Sequence, residues 1–512
     1  MASHGLSEEE RFRLAYHALS SPKIHGLAAD AAIEVIETHG AVVFLAGEKA
    51  WKIKKPHDFG YMDFSSIEKR YWALNREAKI NLAWAPDVYG NVNALIRDDA
   101  GNIGLGGHGE TIDYALEMRR FDPSQVLASI ADAGQLTAEH AEGAARACAR
   151  GASKAPRVLD RDPVEAVAMV INSNQDCLRR HPQHFAKSAI DDLTSKSREA
   201  LALIAALLKR RGENGLVRHC HADMHLGNIV LIKGNPTPFD GIEFSDAFAE
   251  IDVGYDAAFL FMDLWRRGLR VEASRALSAW VDEMARENAD FAFEGLCALP
   301  LFLSLRAAVR AHCAADSNDF ALAEFFLAQA NEMLAGSEPR LVAIGGLSGS
   351  GKSTLARLLA PHLASAPGAL VLRSDEIRKR LAGVNSTDGL GPEFYTPEAS
   401  AQVHVTRCRE AMLALRAGRG VIVDSVFGAP AEQVEIERVA REAEVPFSGL
   451  WLDAPLETRV QRVENRVNDA SDANVDIVRG QIVGLTRHSW TKVDASGSPQ
   501  QILTAARNAL GI

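Results

Sequence analysis

Leu341-Val342-Ala343-Ile344-Gly345-Gly346-Leu347-Ser348-Gly349-Ser350-Gly351-Lys352-Ser353-Thr354-Leu355-Ala356-Arg357-Leu358-Leu359 decides how the chain is read. Leu341 to Ile344 predict a short apolar strand, Gly346 to Ser353 satisfies the spacing GxxxxGK[ST], and TLARLLAPHL carries helical periodicity. Strand, glycine turn and helix in that order make a phosphate cradle. Glycines let successive backbone N–H groups converge on phosphate oxygens, and the helix N-terminus adds partial positive charge. Gly346, Ser348, Gly349, Ser350, Gly351 and Thr354 are the expected contacts; Lys352 reaches the β- and γ-phosphates, and the Ser353 hydroxyl takes Mg²⁺.

Outward from the cradle, apolar runs at Leu370–Leu372, Val421–Val423 and Gly449–Leu452 alternate with helical stretches, the rhythm of a parallel sheet. In LVLRSDEIRKRL, Asp375 falls at the carboxyl end of a strand, the edge where such sheets bind ligands, and can accept a proton from a substrate hydroxyl. VIVD puts Asp424 at the equivalent point, open to the Mg²⁺ shell or to substrate. Arg459, Arg462 and Arg466 recur at i, i+3 and i+7 of a helical pattern. Their shared face suits a transferring phosphoryl group, with Arg462 acting in catalysis and Arg459 and Arg466 on the nucleotide. Plainer roles stay open: Asp375 as an N-cap, the arginines as a solvated face paired with Glu457 and Glu464.

GLSGSGKST, SDEIRK, VIVDSVF and LETRVQRVENR together resemble the P-loop kinases of the zeta-toxin, gluconate-kinase and chloramphenicol-phosphotransferase type, over about residues 340–512. The resemblance implies an arginine-bearing lid and ATP-dependent phosphorylation of a small molecule or a nucleotide-like group.

A second motif lies upstream. His221-Ala222-Asp223-Met224-His225-Leu226-Gly227-Asn228 reads HxDxxxxN ahead of the strand-like Ile229–Ile232, the spacing at which a kinase catalytic loop sets a proton-accepting Asp and a metal-binding Asn. Asp223 and Asn228 take those roles. A turn and a second strand follow, so a metal-binding carboxylate is expected next, in Asp240 or Glu243, with Glu243 favoured. An ATP lysine belongs on the strand AWKIKK, where alternation does not separate Lys52 from Lys54, and its partner Glu77 on the helix ALNREAKINL. As a plainer alternative, this basic strand is an edge that wards off aggregation.

VVFLAGEKAWKIKKP, APDVY, TIDYALEMRRF and HADMHLGNIVL with FDGIEF resemble the aminoglycoside-phosphotransferase-related domain that bacterial proteins carry fused ahead of a P-loop kinase domain, over about residues 30–335. That resemblance implies a hinge near Glu117-Met118 that offers backbone groups to adenine. It also aligns Ile242-Glu243-Phe244, Asp252 and Tyr255-Asp256 with the family's IDF…D…YD run, Glu standing for Asp. No glycine-rich loop precedes Lys52, only Ala46-Gly47.

Length and composition fit this division. A chain of 512 residues suits two or three folded units, and 47% hydrophobic with 24% charged residues marks a folded globular protein. The expected fold class is α/β plus α+β. Residues 1–335 form a two-lobed protein-kinase-like phosphotransferase fold, with a small lobe at about 30–120 and a helical large lobe at about 121–335; residues 336–512 form a P-loop parallel sheet flanked by helices. The break falls at Ala335–Pro339. Acidic residues number 67 against 56 basic ones, a net charge of −11, which argues against a nucleic-acid polymer as partner.

No apolar core follows the start of the chain, and the longest apolar stretch, near Leu201–Leu208, is short of the ~20 residues of a membrane span, so a cytoplasmic protein is expected. Six scattered cysteines without a CxxC pair read as reduced thiols. Gly104 to Gly109 fits GxGxxG but precedes a strand pattern, so it is a loop rather than a dinucleotide site. The reading is a tandem phosphotransferase using ATP and Mg²⁺ on hydroxyl-bearing small molecules, with Asp223 as base in one half and Asp375 in the other. The alternative gives the C-terminal half nucleotide-sugar or polynucleotide ends as substrate and makes the N-terminal half a ligand-binding regulatory module. Acceptor identity and oligomeric state are not encoded in these motifs.

Overall fold

The computed structural model describes residues 6–38, 40–58, 63–465, 470–481 and 490–512. The chain forms two compact units. The first comprises residues 1–136, 154–166 and 212–256, the second residues 137–153, 167–211 and 257–512.

The first unit is built on an antiparallel sheet of β1 (Glu34–Glu37), β2 (Ala41–Ala46), β3 (Lys49–Lys54), β4 (Tyr89–Arg97), β5 (Ile103–Leu105) and β6 (Glu110–Arg119), in the order β1-β2-β3-β6-β4-β5. Alternation along β3 sorts its side chains. Trp51 and Ile53 join Val42, Phe44, Ala15 and Leu19 in a core beneath the helix Glu8–Leu19. Ala50 joins Leu45 and Leu74 in a second core beneath the helix Ile67–Leu82. Lys52 and Lys54 share Ala50's face, so both ammonium groups are directed at the helix that carries Glu77. The glycines at 104–109 make the turn from β5 to β6.

Four short strands complete this unit: β7 (Val217–His219), β8 (Ile229–Ile232), β9 (Asn235–Pro238) and β10 (Glu250–Asp252). β7 pairs with β10 and β8 with β9, both antiparallel, so the HxDxxxxN loop leaves β7 and enters β8.

In the second unit β11 (Leu341–Gly346), β12 (Leu370–Arg373), β13 (Val421–Asp424), β14 (Phe447–Asp453) and β15 (Thr491–Asp494) form a wholly parallel sheet in the order β12-β13-β11-β14-β15. Parallel strands need both faces covered, and the apolar Val342, Ile344, Ile422 and Leu450 pack with Leu355, Leu359, Ile502 and Ala506 from flanking helices. Register sets Ile344 beside Asp424, so the carboxylate stands at the strand ends next to the glycine loop.

The same unit includes helices that precede the 335–339 break. The helix Arg270–Glu294 lies against β12, where Ser278 Oγ accepts the Val371 N–H at 3.1 Å. Beside it Asp282 bridges two guanidinium groups: Arg146 Nη1 at 2.9 Å and Arg380 Nη1 at 3.4 Å, and Arg380 also engages Glu410. The segment Arg270–Asp316, rather than Leu201–Leu208, holds the most apolar helical window, with mean hydropathy 1.5; 72% of that window is buried within the fold, which explains its composition by core packing.

Removing the shared carboxylate leaves two buried cations with one partner fewer each. Asp282→Ala should lower stability by about 3 kcal/mol, read from urea denaturation followed by tryptophan fluorescence; a loss under about 1 kcal/mol, the range of exposed pairs, would mean the bridge is solvated.

Candidate functional site

In the first unit, Lys52 Nζ lies 2.7 Å from Glu77 Oε1 and 2.9 Å from Asp240 Oδ1, while Lys54 Nζ lies 2.7 Å from Glu77 Oε2 and 2.6 Å from Glu243 Oε1. Glu77 therefore serves both lysines. Burial works against the Lys52 ammonium, but Asp240, Glu77 and Glu243 outweigh it and hold its pKa well above the ordinary value. Lys54 is raised in the same way, burial being overcome by Glu243 and Glu77. For Asp240 burial is overcome by Lys52, and its carboxyl is lowered.

The backbone presenting these groups is strained and pinned. Asp240 has φ 60° and Ala222 φ 68°, both in the left-handed region that non-glycine residues avoid. Tyr89 Oη accepts the Asp240 N–H at 2.9 Å, and Asn81 Oδ1 accepts the Gly241 N–H at 2.8 Å. Asp256, fully buried, accepts the Ala222 N–H at 2.8 Å and the His221 N–H at 3.3 Å, which fixes the HxDxxxxN loop from beneath. Burial lowers the His221 pKa despite Asp256 and Asp223, and its Nε2 lies 2.9 Å from Phe239 O. Asn228 Nδ2 donates to Asp223 Oδ2 at 2.8 Å and to Asp223 O at 3.0 Å, bringing the two motif residues together.

This geometry separates the alternatives left by the sequence. The Glu243 side chain is 9% exposed and clamped by Lys54, whereas that of Asp240 is 46% exposed. Asp240 is thus the more exposed of the two candidate carboxylates, and Glu243 the more enclosed. Lys52 touches both Glu77 and Asp240, and Lys54 is a second ammonium on the same carboxylate. Among the described residues no three His, Cys, Asp or Glu side chains are grouped so as to hold a metal ion. Met118 is buried in the sheet opposite Ala50 and Tyr89, and the next two N–H groups, of Arg119 and Arg120, donate to Val88 O and Glu48 O. The Met118 side chain packs in the core with Leu45, Ala50 and Leu74.

In the second unit the cradle closes as the motif requires. Gly349 has φ 80°, and a Cβ there would come within 2.5 Å of Arg459 O; Gly346 has φ 144° and a Cβ would meet Leu452 O at 2.7 Å. Ser353 Oγ donates to Asp424 Oδ2 at 2.5 Å. Arg373 spans this pair, with Nε 3.4 Å from Asp424 Oδ2 and Nη2 3.2 Å from Ser353 Oγ, so a guanidinium stands in as the cation beside two oxygens of the kind Mg²⁺ prefers. A carboxylate and a hydroxyl side by side are the oxygen donor set that fits Mg²⁺. Lys352 Nζ donates to Leu347 O at 3.1 Å inside the loop.

A cavity of about 1060 Å³ opens over the loop, lined by Ser348, Gly349, Gly351, Lys352, Ser353 and Thr354 together with Asp375, Asp424 and Arg462. Gly346 and Ser350 lie behind this lining; Ser350 is fully buried. Arg462 donates to Ser350 O at 3.2 Å and Gly497 O at 3.1 Å, bracing the loop. Arg459 is only 6% exposed, behind Gly349 and outside the cavity lining, so the i, i+3 pair does not present one catalytic face. Arg466 lies outside the described residues. Sequence reasoning passed over Arg373, although it stands two residues before Asp375. It also missed Gln481, whose Oε1 accepts the Ser348 N–H at 2.9 Å and whose Nε2 donates to Ser348 Oγ at 3.0 Å. A partner 133 residues away leaves no local signal.

Against this geometry the relationships take their place. Residues 341–486 match the AAA_33 family, described as an AAA domain. Over 121 residues, 23% of this chain and 59% of the relative, the sequence is 38% identical to an adenylyl-sulfate kinase of Myxococcus xanthus. Fold, cradle and these matches define the class, an ATP-dependent kinase. The chain is also 30% identical over 467 residues to the uncharacterized protein Rv2004c of Mycobacterium tuberculosis, covering 88% of this chain and 90% of that one, and equally to Mb2027c of Mycobacterium bovis. It belongs to the family of these mycobacterial proteins. Among solved structures, a gluconokinase from Sinorhizobium meliloti aligns over 34% of this chain and 92% of its own, with 16% identity and a TM-score of 0.25. The GDP and kanamycin complex of APH(2")-IIia aligns over 63% and 99%, with 13% identity and a TM-score of 0.40.

Asp375 allows a test by pH. Burial pushes its carboxyl above the ordinary value, Arg373 pulls it partly back, and Asp424 pushes it up again. The native protein then holds this proton to higher pH than the unfolded chain, so stability falls as pH rises from the ordinary carboxylate value through the raised one. Asp375→Asn removes that loss. Its Tm should exceed that of wild type above this window and match it below, by calorimetry across pH; a constant offset would mean the carboxyl is not raised.

Proposed function

We propose that the P-loop half transfers the γ-phosphoryl group of ATP to a hydroxyl of a small molecule. The observation that carries this reading is the Ser353–Asp424 pair beside Lys352, with Asp375 lining the same cavity. Bound Mg²⁺ would neutralise charge between the phosphates; Ser353 and Asp424 would hold it. Lys352 swings from Leu347 O to the phosphates, Asp375 takes the acceptor proton, and Arg462 keeps the loop in shape while contributing positive charge. Division of the chain near residue 336 into two kinase halves is part of this proposal, as is a cytoplasmic setting.

For the first unit we propose a second nucleotide site, with Asp223 as base, Asn228 and Asp240 toward Mg²⁺, and Lys52, oriented by Glu77, toward phosphate. One observation favours the other reading, a binding module: Glu243 is occupied by Lys54, so an internal ammonium fills part of the space a second metal would use.

Full-length variants separate these roles. With γ-labelled ATP and a panel of alcohols, Lys352→Ala should reduce transfer by the P-loop half at least about 100-fold, and Asp223→Asn should leave that product unchanged. Unaltered turnover in Lys352→Ala would defeat the first assignment. In the Lys352→Ala protein, calorimetric titration should still show Mg²⁺-dependent ATP binding; a labelled product that disappears on adding Asp223→Asn supports a second kinase, and binding without product supports the module.

A further inference from the structure

A buried guanidinium outside the P-loop also lines the second unit's cavity. Arg407, on the helix Pro397–Arg416, is 2% exposed and lines the cavity that holds Lys352 and Asp375. Its Nη1 donates to Ser425 Oγ at 2.5 Å and Ser374 Oγ at 2.9 Å, its Nη2 meets His404 Nδ1 at 2.6 Å, and Phe427 lies face-on at 4.6 Å. Its Nε has no hydrogen-bond partner among the described residues. None of these neighbours is an anion. Burial, followed by Arg407 itself, also keeps the His404 ring below its ordinary pKa.

Other buried arginines divide into two groups: Arg419, 3% exposed, donates only to backbone carbonyls of Ser365, Ala366 and Gly368 away from the cavity, whereas three others are met by carboxylates. Arg146 reaches Asp282 at 2.9 Å, Arg373 reaches Glu376 at 2.8 Å, and Arg380 engages Glu410. Among the described residues no carboxylate comes within 4.0 Å of Arg407. A charge withdrawn from water without a counter-ion is costly, and burial accordingly pulls the Arg407 pKa down.

Arg378 repeats the pattern on the other side of Asp375. It lines the cavity, stacks on Tyr395 at 4.7 Å, donates to Phe394 O at 2.6 Å, keeps an unpartnered Nε, and likewise has no carboxylate within 4.0 Å among the described residues. Two further carboxylates face the cavity. Asp472 is already taken by Lys379 and Tyr395, and Glu432 stays beyond ion-pair distance of Arg407.

We propose that the acceptor of the P-loop half is an anionic alcohol, a small hydroxylated molecule whose oxyanion is held by Arg407 and Arg378 so that its hydroxyl reaches Asp375. This rests on the phosphotransferase reading above. The acceptor oxygen bonds to the γ-phosphorus as the bond to the β–γ bridging oxygen breaks; ADP leaves with that electron pair, and the hydroxyl proton passes to Asp375. Carboxylate and phosphate share the chemistry that a forked guanidinium recognises.

The test uses the full chain and matched pairs of alcohols: glucose with gluconate, glycerol with glycerate and with glycerol 3-phosphate, adenosine with AMP. ADP release and thermal protection are both read. The acid of at least one pair should be turned over with kcat/KM at least about 30-fold above its neutral partner, the ratio that loss of a buried charge contact gives; which pair responds tells carboxylate from phosphate. Arg407→Gln should raise KM for that acid and collapse the ratio toward one, and Arg407→Lys, which keeps the charge but loses the fork, should fall between. Neutral alcohols used as well as acids, no protection by any acid, or an unchanged ratio in Arg407→Gln would each overturn the proposal. The wild-type comparison stands even should a variant fail to fold. Turnover that survives Lys352→Ala would instead overturn the phosphotransferase reading beneath it.

Discussion

Withdrawing a cation from water is costly unless an anion stands beside it, and pairs that meet this cost recur in both units of this protein. In the first, Lys52 and Lys54 are carried inward by strand alternation and meet Glu77 on the covering helix, with Asp240 and Glu243 completing the set. Close by, Arg70 is wholly buried and is met by Asp113 at 3.0 Å. The second unit uses the same device along β12, where Arg373 joins Glu376 to Asp424 and Asp282 joins Arg146 to Arg380. Buried pairs of this kind add little net stability, yet breaking one leaves an uncompensated charge, so they act chiefly to fix which side chain sits where.

At the carboxyl edge of the parallel sheet that rule serves chemistry. β11 delivers the glycine loop, β13 delivers Asp424, and β12 ends at Arg373 just before Asp375. Adjacent parallel strands bring these groups to a common edge with no long loop to order, which is why open α/β sheets place ligands there. Arg373 contacts both the Ser353 hydroxyl and the Asp424 carboxylate and opposes the charge of the latter. The price is borne elsewhere: the Asp375 carboxyl is pushed up by burial in the same cavity that positions it.

The phosphate cradle was legible at once because its chemistry is local: eight consecutive residues supply loop, lysine and hydroxyl, flanked by strand and helix patterns that the structure reproduces at Leu341–Gly346 and Lys352–Leu359. The HxDxxxxN loop was legible for the same reason, Asp223 and Asn228 being five residues apart and hydrogen-bonded. Alternation showed that Lys52 and Lys54 share a face. It could not show that Glu77 would take both, or that Lys54 would close off Glu243 and leave Asp240 accessible. Helical spacing suggested a common face for Arg459 and Arg462; close approach of the glycine loop to the Arg459 backbone instead buries the first while the second lines the cavity.

The sequence by itself determined the strand–loop–helix of the P-loop, the HxDxxxxN loop upstream, and the order of strands and helices that makes one sheet antiparallel and the other parallel, since periodicity and turn chemistry act over a few residues. Only the tertiary structure decided which charges are answered. Asp240 and Glu243 reach their lysines across 188 and 189 residues, Gln481 reaches the cradle across 133, and the isolation of Arg407 is visible only once every neighbouring side chain is in place. Electrostatic pairing depends on distance through space and on exclusion of water, and neither quantity is written in the order of residues along a chain.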